Sequence, residues 1–407
     1  MDASTRVTVA GLIVMTSVAC AAIGGGSRGG TDAARWVGTW ACGPQLTEPG
    51  NNPPPPGLGD NTLRQIVYPS IGGRRLRVRL SNEFGDGPVT MRAVHVATST
   101  GGDAIDAGTD RAVAFSGTGS VTIPAGQAAW SDPFDFALAP QTRLAVTIGF
   151  AGVPAGVTGH PGSRTTSYLV AGNAVSAPSL PGAATIDHWY YIAGVDVIAD
   201  AGTAALVTLG DSLTDGRGST TNGNDRWPDN LSRRLRANPP TAKVAVLNLG
   251  IGGNAVVSGG LGPTATQRFT RDVLGQSGAR WLIVFEGVND ICRAGDGRQA
   301  AHELIAAYGQ LTDMAHARGI RVYGATLTPI GGSHYDSAEH EAARQTVNAW
   351  IRTSRRFDAV IDLDAAVGDP AKPATLLAAY DSGDHLHLNA AGYRKAADAI
   401  DLALFVE

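Results

Sequence analysis

Four short blocks carry residue types able to do acyl-transfer chemistry. Gly210-Asp211-Ser212-Leu213 holds a serine, and Asn248-Leu249-Gly250-Ile251-Gly252-Gly253-Asn254 is a glycine-rich stretch. Gly287-Val288-Asn289-Asp290 sets an amide beside a carboxylate, and Asp384-His385-Leu386-His387 joins an acid to two imidazoles. A serine hydroxyl is a weak nucleophile at neutral pH and needs an adjacent base. Attack on a carbonyl puts negative charge on its oxygen, which fixed N–H donors stabilise. Losing one such donor costs on the order of 10²–10³ in rate. Each residue also has a plain structural reading. Ser212 could cap a helix, Asn289-Asp290 and Gly252-Gly253 could be turns, Asp384 could cap the last helix, and His387 could be an ordinary packed histidine. Convergence on one place in the fold separates the two readings.

Other chemistries compete for the same residues. Gly250-x-Gly252-x-x-Ala255 matches a relaxed dinucleotide fingerprint, although that motif normally follows the first strand of its unit. Gly25-Gly26-Ser27-Arg28-Gly29 matches the hydrolase elbow but has no preceding strand, which makes it a chance match. Asp384, His385 and His387, or His334, Asp336 and His340, could bind a metal. No close His-x-x-x-His or Cys-x-x-Cys pair supports this, so neither metal nor cofactor is expected.

The elements that must position the blocks are legible in the hydrophobic pattern. From Ala201 onward, five apolar runs (Leu206–Leu209, Val244–Leu249, Trp281–Phe285, Val322–Thr326 and Val360–Leu363) alternate with helical stretches. One such stretch has Pro228 in its first turn with Leu231 and Leu235 on one face. Another carries Leu304, Tyr308 and Leu311 and stops at Gly319. Strands alternating with helices predict a parallel, doubly wound sheet. In such sheets ligands bind beyond the carboxyl ends of the strands, at a topological switch point. Three blocks directly follow the first three runs, and the fourth comes after the fifth run, before a helix near Ala390.

In this order and spacing the blocks resemble the GDSL-type SGNH hydrolases, a family of esterases and lipases with a flavodoxin-like sheet. The resemblance covers about half the chain, residues 201–407. The β-rich region before it resembles the extension of some secreted actinobacterial members. The resemblance implies Ser212 as nucleophile, His387 as its base and Asp384 as the acid that orients the imidazole. It implies an oxyanion hole built from the Ser212 and Gly253 N–H groups and the Asn289 amide. Asp381 is a rival for Asp384, and His385 is the wrong histidine if the Asp-x-x-His spacing holds.

The 407 residues suffice for two domains. Residues 1–34 read as a signal peptide and glycine-rich spacer, 35–200 as a β-sandwich-like domain, and 201–407 as the hydrolase. Alternation in Leu76–Leu80, Met91–Val96 and Leu144–Ile148 predicts the antiparallel strands, and Pro53–Pro56 predicts a stiff loop. A net charge of −4 and a pI near 6.1 give phosphate no basic stripe, which argues against nucleic acid. Arg6, the apolar run Val7–Val18 and Ala19-Cys20-Ala21 read as an export signal, too short to span a bilayer. Ser17–Cys20 also resembles a lipobox, with Cys20 as a lipid anchor. An exported chain then keeps Cys42 and Cys292, a candidate disulfide between the two regions. Trp36, Trp40, Trp189, Tyr190 and Tyr191 could form a sugar platform, making the β-rich region a binding module; aromatics in strands are more often core. The short junction Asp200–Thr203 predicts docking of the two regions, with loop 51–60 or 159–168 beside Ser212. The candidate esters are acetylated carbohydrate and short-chain lipid.

Overall fold

Alternation of apolar and polar residues builds two antiparallel sheets in the amino-terminal region of the computed structural model, which describes residues 35–406. The export signal, the spacer and Cys20 lie outside the described residues. One sheet orders Arg35–Ala41, Ile192–Ala199, Gly73–Asn82 and Phe134–Leu138. Its register sets Leu76 opposite Val197 and Val78 opposite Val195, so the alternate apolar side chains share one buried face. The other sheet has Leu144–Phe150 between Thr62–Val67 and Val89–Gly101. The apolar faces of both sheets enter one core, as the alternating pattern requires.

The carboxyl-terminal region is a five-stranded parallel sheet. Its strands are β1 (Ala204–Gly210), β2 (Val244–Gly250), β3 (Ala279–Phe285), β4 (Arg321–Ala325) and β5 (Ala359–Ile361). Their spatial order is β2-β1-β3-β4-β5, each pair parallel. After β2 the chain crosses back over β1 to form β3, which makes the β1/β3 boundary the switch point. Gly210 is in register with Gly250 and with Phe285, so all three strands end level. That alignment brings the first three blocks out on one edge of the sheet.

The helices follow their apolar stripes. Helix Trp227–Ala237 has proline in its first turn and buries Leu231 and Leu235. Helix Gly297–His316 buries Leu304, Tyr308 and Leu311. It ends three residues before the stop expected at Gly319, which instead makes the left-handed turn into β4 (φ +70°). Among the described residues no helix is long and apolar enough to cross a membrane.

The two regions are packed against each other, as the short junction predicts, and residues 34–407 cluster as one compact unit. Strand Arg35–Ala41 lies along β2, the edge strand of the parallel sheet. Gly38 permits this approach, because a Cβ there would stand 2.9 Å from Leu247 Cδ1. The Val246 N–H of the edge strand donates to Ser70 Oγ (3.0 Å), and the Gly38 N–H donates to Ser277 O (2.9 Å). The β-rich region thus covers an edge that would otherwise stay unpaired.

Two expectations are corrected. Cys42 and Cys292 are separate buried thiols and not a disulfide. Cys42 donates to the Ile192 carbonyl beside Arg271 and Asp272, whereas Cys292 lies on a short helix packed on Gly297–His316. The proposed sugar platform also fails. Trp40, Trp189, Tyr190 and Tyr191 are core residues at 5% exposure or less, and Trp36 is stacked beneath Arg77. The dinucleotide fingerprint gains no support either. Residues 251–264 are an irregular loop, so no helix amino terminus follows β2 to receive a pyrophosphate.

Candidate active site

The chain turns sharply after β1 into a one-turn helix, α1 (Ser212–Asp215). Asp211 caps it by accepting from the Leu213 N–H (2.9 Å), which places Ser212 in the first helical position. The turn is squeezed between neighbours. A Cβ on Gly210 would stand 2.5 Å from Phe285 O, and one on Gly250 would stand 2.3 Å from Asp215 N. Only glycine fits at both strand ends.

Ser212 Oγ lies 2.8 Å from His387 Nε2, and His387 Nδ1 lies 2.7 Å from Asp384 Oδ2. With the Nδ1 proton held by Asp384, Nε2 is free to accept from the serine hydroxyl. Asp384 Oδ1 accepts from the backbone N–H groups of His387 (2.8 Å) and Leu386 (3.1 Å). The rival carboxylate, Asp381, binds His385 Nδ1 instead (2.6 Å). Asn389, not Asp384, caps the last helix, Ala390–Asp398.

Gly253 adopts φ +71° in the loop after β2. Asn289 sits in helix Val288–Cys292 just beyond β3, and one of its amide hydrogens donates to Asn254 O (2.9 Å). The other is left for a second acceptor. Ser212, Gly253, Asn289, Asp384 and His387 line one cavity of about 620 Å³. A somewhat larger cavity, about 720 Å³, lies between Gly73, Pro140 and Lys243 and contains none of these residues.

Residues 208–395 match the family model described as GDSL-like Lipase/Acylhydrolase. The chain carries a GDSL-like acylhydrolase domain. The match spans the parallel-sheet region and supports ester hydrolysis as the chemistry of that domain. A search of curated proteins finds no match. Among solved structures, one similar chain is described as lipolytic and of the G-D-S-L family, from Desulfitobacterium hafniense. It is 17% identical over 48% of this chain and 97% of its own, with a TM-score of 0.38. An acetyl xylan esterase from Geobacillus stearothermophilus is 23% identical over 48% and 92%, with a TM-score of 0.37. A GDSL-like lipase from Bacteroides thetaiotaomicron is 16% identical over 49% and 87%, with a TM-score of 0.36.

Several residues that support the acylhydrolase site carry no motif signal. Arg268 is fully buried and donates to Gly210 O (3.0 Å), Leu249 O (2.5 Å) and Asn254 Oδ1 (2.9 Å). It ties the ends of β1 and β2 to the loop after β2 that holds Gly253, with its charge balanced by Asp272 and Glu286. Asp290, readable in the third block only as a turn residue, accepts from the Val256 and Val257 N–H groups at 2.8 Å each. It fastens the same loop to the end of β3.

The β-rich region enters the site directly. His160 bridges the Gly43 carbonyl and the Asp215 carboxylate, both at 2.9 Å, with both side chains buried. Pro161, Gly162 and Arg164, from the loop expected beside Ser212, form part of the cavity wall together with Gln45, Glu48 and Asn51. No sequence pattern pairs His160 with Asp215, because their contact exists only once the two regions pack. Among the described residues no group of three His, Cys, Asp or Glu side chains is arranged to hold a metal ion.

Burial pushes the His387 imidazole below its ordinary value; Asp384 opposes this, while Arg217 and Arg164 add to it. Burial alone would raise Asp384, but the His387 and Leu386 N–H groups and the imidazole hold it well below the usual carboxylate range. Burial pushes Asp211 up to about 7, against the N–H groups of Leu213 and Gly287.

Proposed function

We propose that the protein is an exported serine esterase working through an acyl-enzyme, with Ser212 as nucleophile, His387 as base and Asp384 as its orienting acid. The observation that carries this reading is the 2.8 Å contact between Ser212 Oγ and His387 Nε2 in one cavity with Gly253 and Asn289. As Oγ attacks the ester carbonyl, His387 takes the hydroxyl proton and the C=O π pair moves onto oxygen. The N–H groups of Ser212 and Gly253 and the free Asn289 amide hydrogen face that oxyanion. Collapse expels the alcohol, which leaves with the proton from His387. Water then repeats the sequence on the acyl-enzyme and restores Ser212.

The cavity favours a small acyl group on a polar alcohol. Its apolar lining amounts to Pro161, Leu261, Leu386 and the Tyr335 ring, while Gln45, Asn51, His188 and His334 are polar. A long acyl chain would leave most of its surface without apolar contact. Acetylated carbohydrate fits this lining better than long-chain lipid. The burial of Trp40, Trp189, Tyr190 and Tyr191 argues for the β-rich region as a wall of the site instead of a separate sugar-binding module. The run Val7–Val18 ahead of Ala19-Cys20-Ala21 supports export, with Cys20 as a point of lipid attachment.

Two measurements test the reading. Asn289→Ala is expected to lower kcat about 10²–10³-fold with little change in KM, because the oxyanion exists only beyond the ground state. A rise in KM at constant kcat would contradict the assignment. The pH profile is the second. A depressed imidazole is neutral, and able to act as a base, at lower pH than an ordinary histidine. kcat/KM should therefore rise with a midpoint below 6.5 and be level through neutral pH. Asp211→Asn, which removes a carboxyl pushed up to about 7 but keeps an acceptor for Leu213, should leave that midpoint in place.

A further inference from the structure

Three arginines converge on the cavity beside Ser212: Arg164, Arg217 and Arg293. Arg293 lies over the oxyanion loop, with Nη2 3.5 Å from where a Gly253 Cβ would stand. Arg217 follows α1 and is fixed by its backbone. Its N–H donates to Ser212 O (2.9 Å), and its carbonyl accepts from the Tyr393 hydroxyl (2.6 Å). Arg164 comes from the β-rich region in a left-handed backbone conformation (φ +51°), with its carbonyl accepting from Asn222 N–H. Such strain in a residue other than glycine persists where surrounding structure enforces it, often at ligand clamps.

Two of the three carboxylates on the same cavity are engaged through both oxygens, while Asp215 keeps Oδ2 without a hydrogen bond. Asp384 serves His387, Asp215 serves His160, and Glu48 accepts from Gln45 (2.9 Å) and Asn51 (3.0 Å). Neither Arg217 nor Arg293 has an ion-pair partner among the described residues, and both are exposed to the cavity. Arg164 reaches Asp215 Oδ2 only at 4.0 Å, and its Nε–H is buried with no acceptor. A buried donor without a partner costs free energy that a bound acceptor would return. Guanidinium groups match carboxylate and phosphate oxygens in a planar, two-point fashion.

We infer that the ester cleaved here carries an anionic group, a carboxylate or a phosphate, on the alcohol side close to the scissile bond, held by Arg164, Arg217 and Arg293. This rests on the esterase reading above and narrows it to acetylated acidic carbohydrates, either uronates or sugar phosphates. Placed between Arg217 on the His387 side and Arg293 on the oxyanion side, the anion fixes which acetyl group faces Ser212.

The test compares kcat/KM of the full chain on O-acetyl glucose, O-acetyl glucuronate and O-acetyl glucose phosphate, with p-nitrophenyl acetate as a neutral reference. At low ionic strength one or both anionic esters should exceed the neutral sugar by about 10–100-fold, the range expected for a charge-assisted hydrogen bond. The advantage should shrink as NaCl is raised. An advantage confined to glucuronate assigns a carboxylate, and one confined to the phosphate assigns a phosphoryl group. Arg217→Gln and Arg293→Gln should each move the anionic-to-neutral ratio toward unity. Equal rates on all three sugars, or a ratio unmoved by both substitutions, would overturn the inference while leaving the esterase reading intact. No hydrolysis of any sugar ester or of p-nitrophenyl acetate would contradict the esterase reading itself, and this inference with it.

Discussion

Ser212→Ala is expected to lower kcat by about 10⁴-fold or more while the protein keeps its fold. The size follows from what the hydroxyl does. Without Oγ no acyl-enzyme forms, His387 has no proton to take, and only the oxyanion donors and substrate binding remain to assist water. The change is structurally mild. Ser212 Oγ makes one side-chain hydrogen bond, to His387, and α1 is capped by Asp211 and not by the serine. Melting temperature and circular dichroism should therefore stay close to wild type, which separates lost chemistry from lost structure. His387→Ala should fall by a similar factor, and the double variant should fall no further, because the two groups act as one unit.

The second large effect is expected on separating the two regions. A chain of residues 201–407 alone should be unstable or insoluble and should hydrolyse small esters poorly. Removing the β-rich region uncovers the edge of β2, leaves Val246 N–H without Ser70 and exposes Leu247 where Gly38 now packs. Exposing one side chain of Val or Leu size costs about 1.5–3 kcal/mol, and several such losses rival a typical domain's whole stability of about 5–15 kcal/mol. It also strips His160 from Asp215 and removes one wall of the cavity. Because truncation alone confuses unfolding with lost catalysis, His160→Ala in the full chain is the sharper companion. It leaves Asp215 buried without its partner, and both melting temperature and kcat/KM should drop. A soluble 201–407 fragment with wild-type kcat/KM and an unchanged melting temperature would show that the β-rich region is dispensable.

What could be read from the sequence was local. The parallel strands announce themselves as apolar runs, and each catalytic candidate sits within a few residues of a strand end or beside a helix cap. The switch-point rule therefore gathers the blocks that hold Ser212, Gly253 and Asn289 at one edge of the sheet, and the family resemblance picks the residues within them. Asp384 rested on the family resemblance alone, with Asp381 as its rival, and the contacts separate them: Asp384 meets the His387 ring and backbone N–H, whereas Asp381 meets His385. What stayed hidden depends on contacts between residues far apart in the chain. Arg268 meets Gly210 and Asn254, and His160 meets Asp215, only through tertiary packing. The disulfide expectation failed for a related reason: cysteine parity and compartment say nothing about separation, and each thiol is enclosed by a different set of neighbours. The aromatic platform failed because large rings are worth more in the core of a sheet than on its face. The misplaced helix end at Gly319 is the usual looseness of boundaries, the glycine serving the turn after the helix.

Mass spectrometry after treatment with a serine-directed fluorophosphonate tests the central assignment most directly. One phosphonyl group per chain should attach, peptide mapping should place it on Ser212, and ester hydrolysis should be lost in proportion to labelling. Labelling should be abolished in Ser212→Ala and strongly slowed in His387→Ala, where the hydroxyl has no base. Hydrolysis that persists in a fully labelled sample, or a label carried by any residue other than Ser212, would contradict the account.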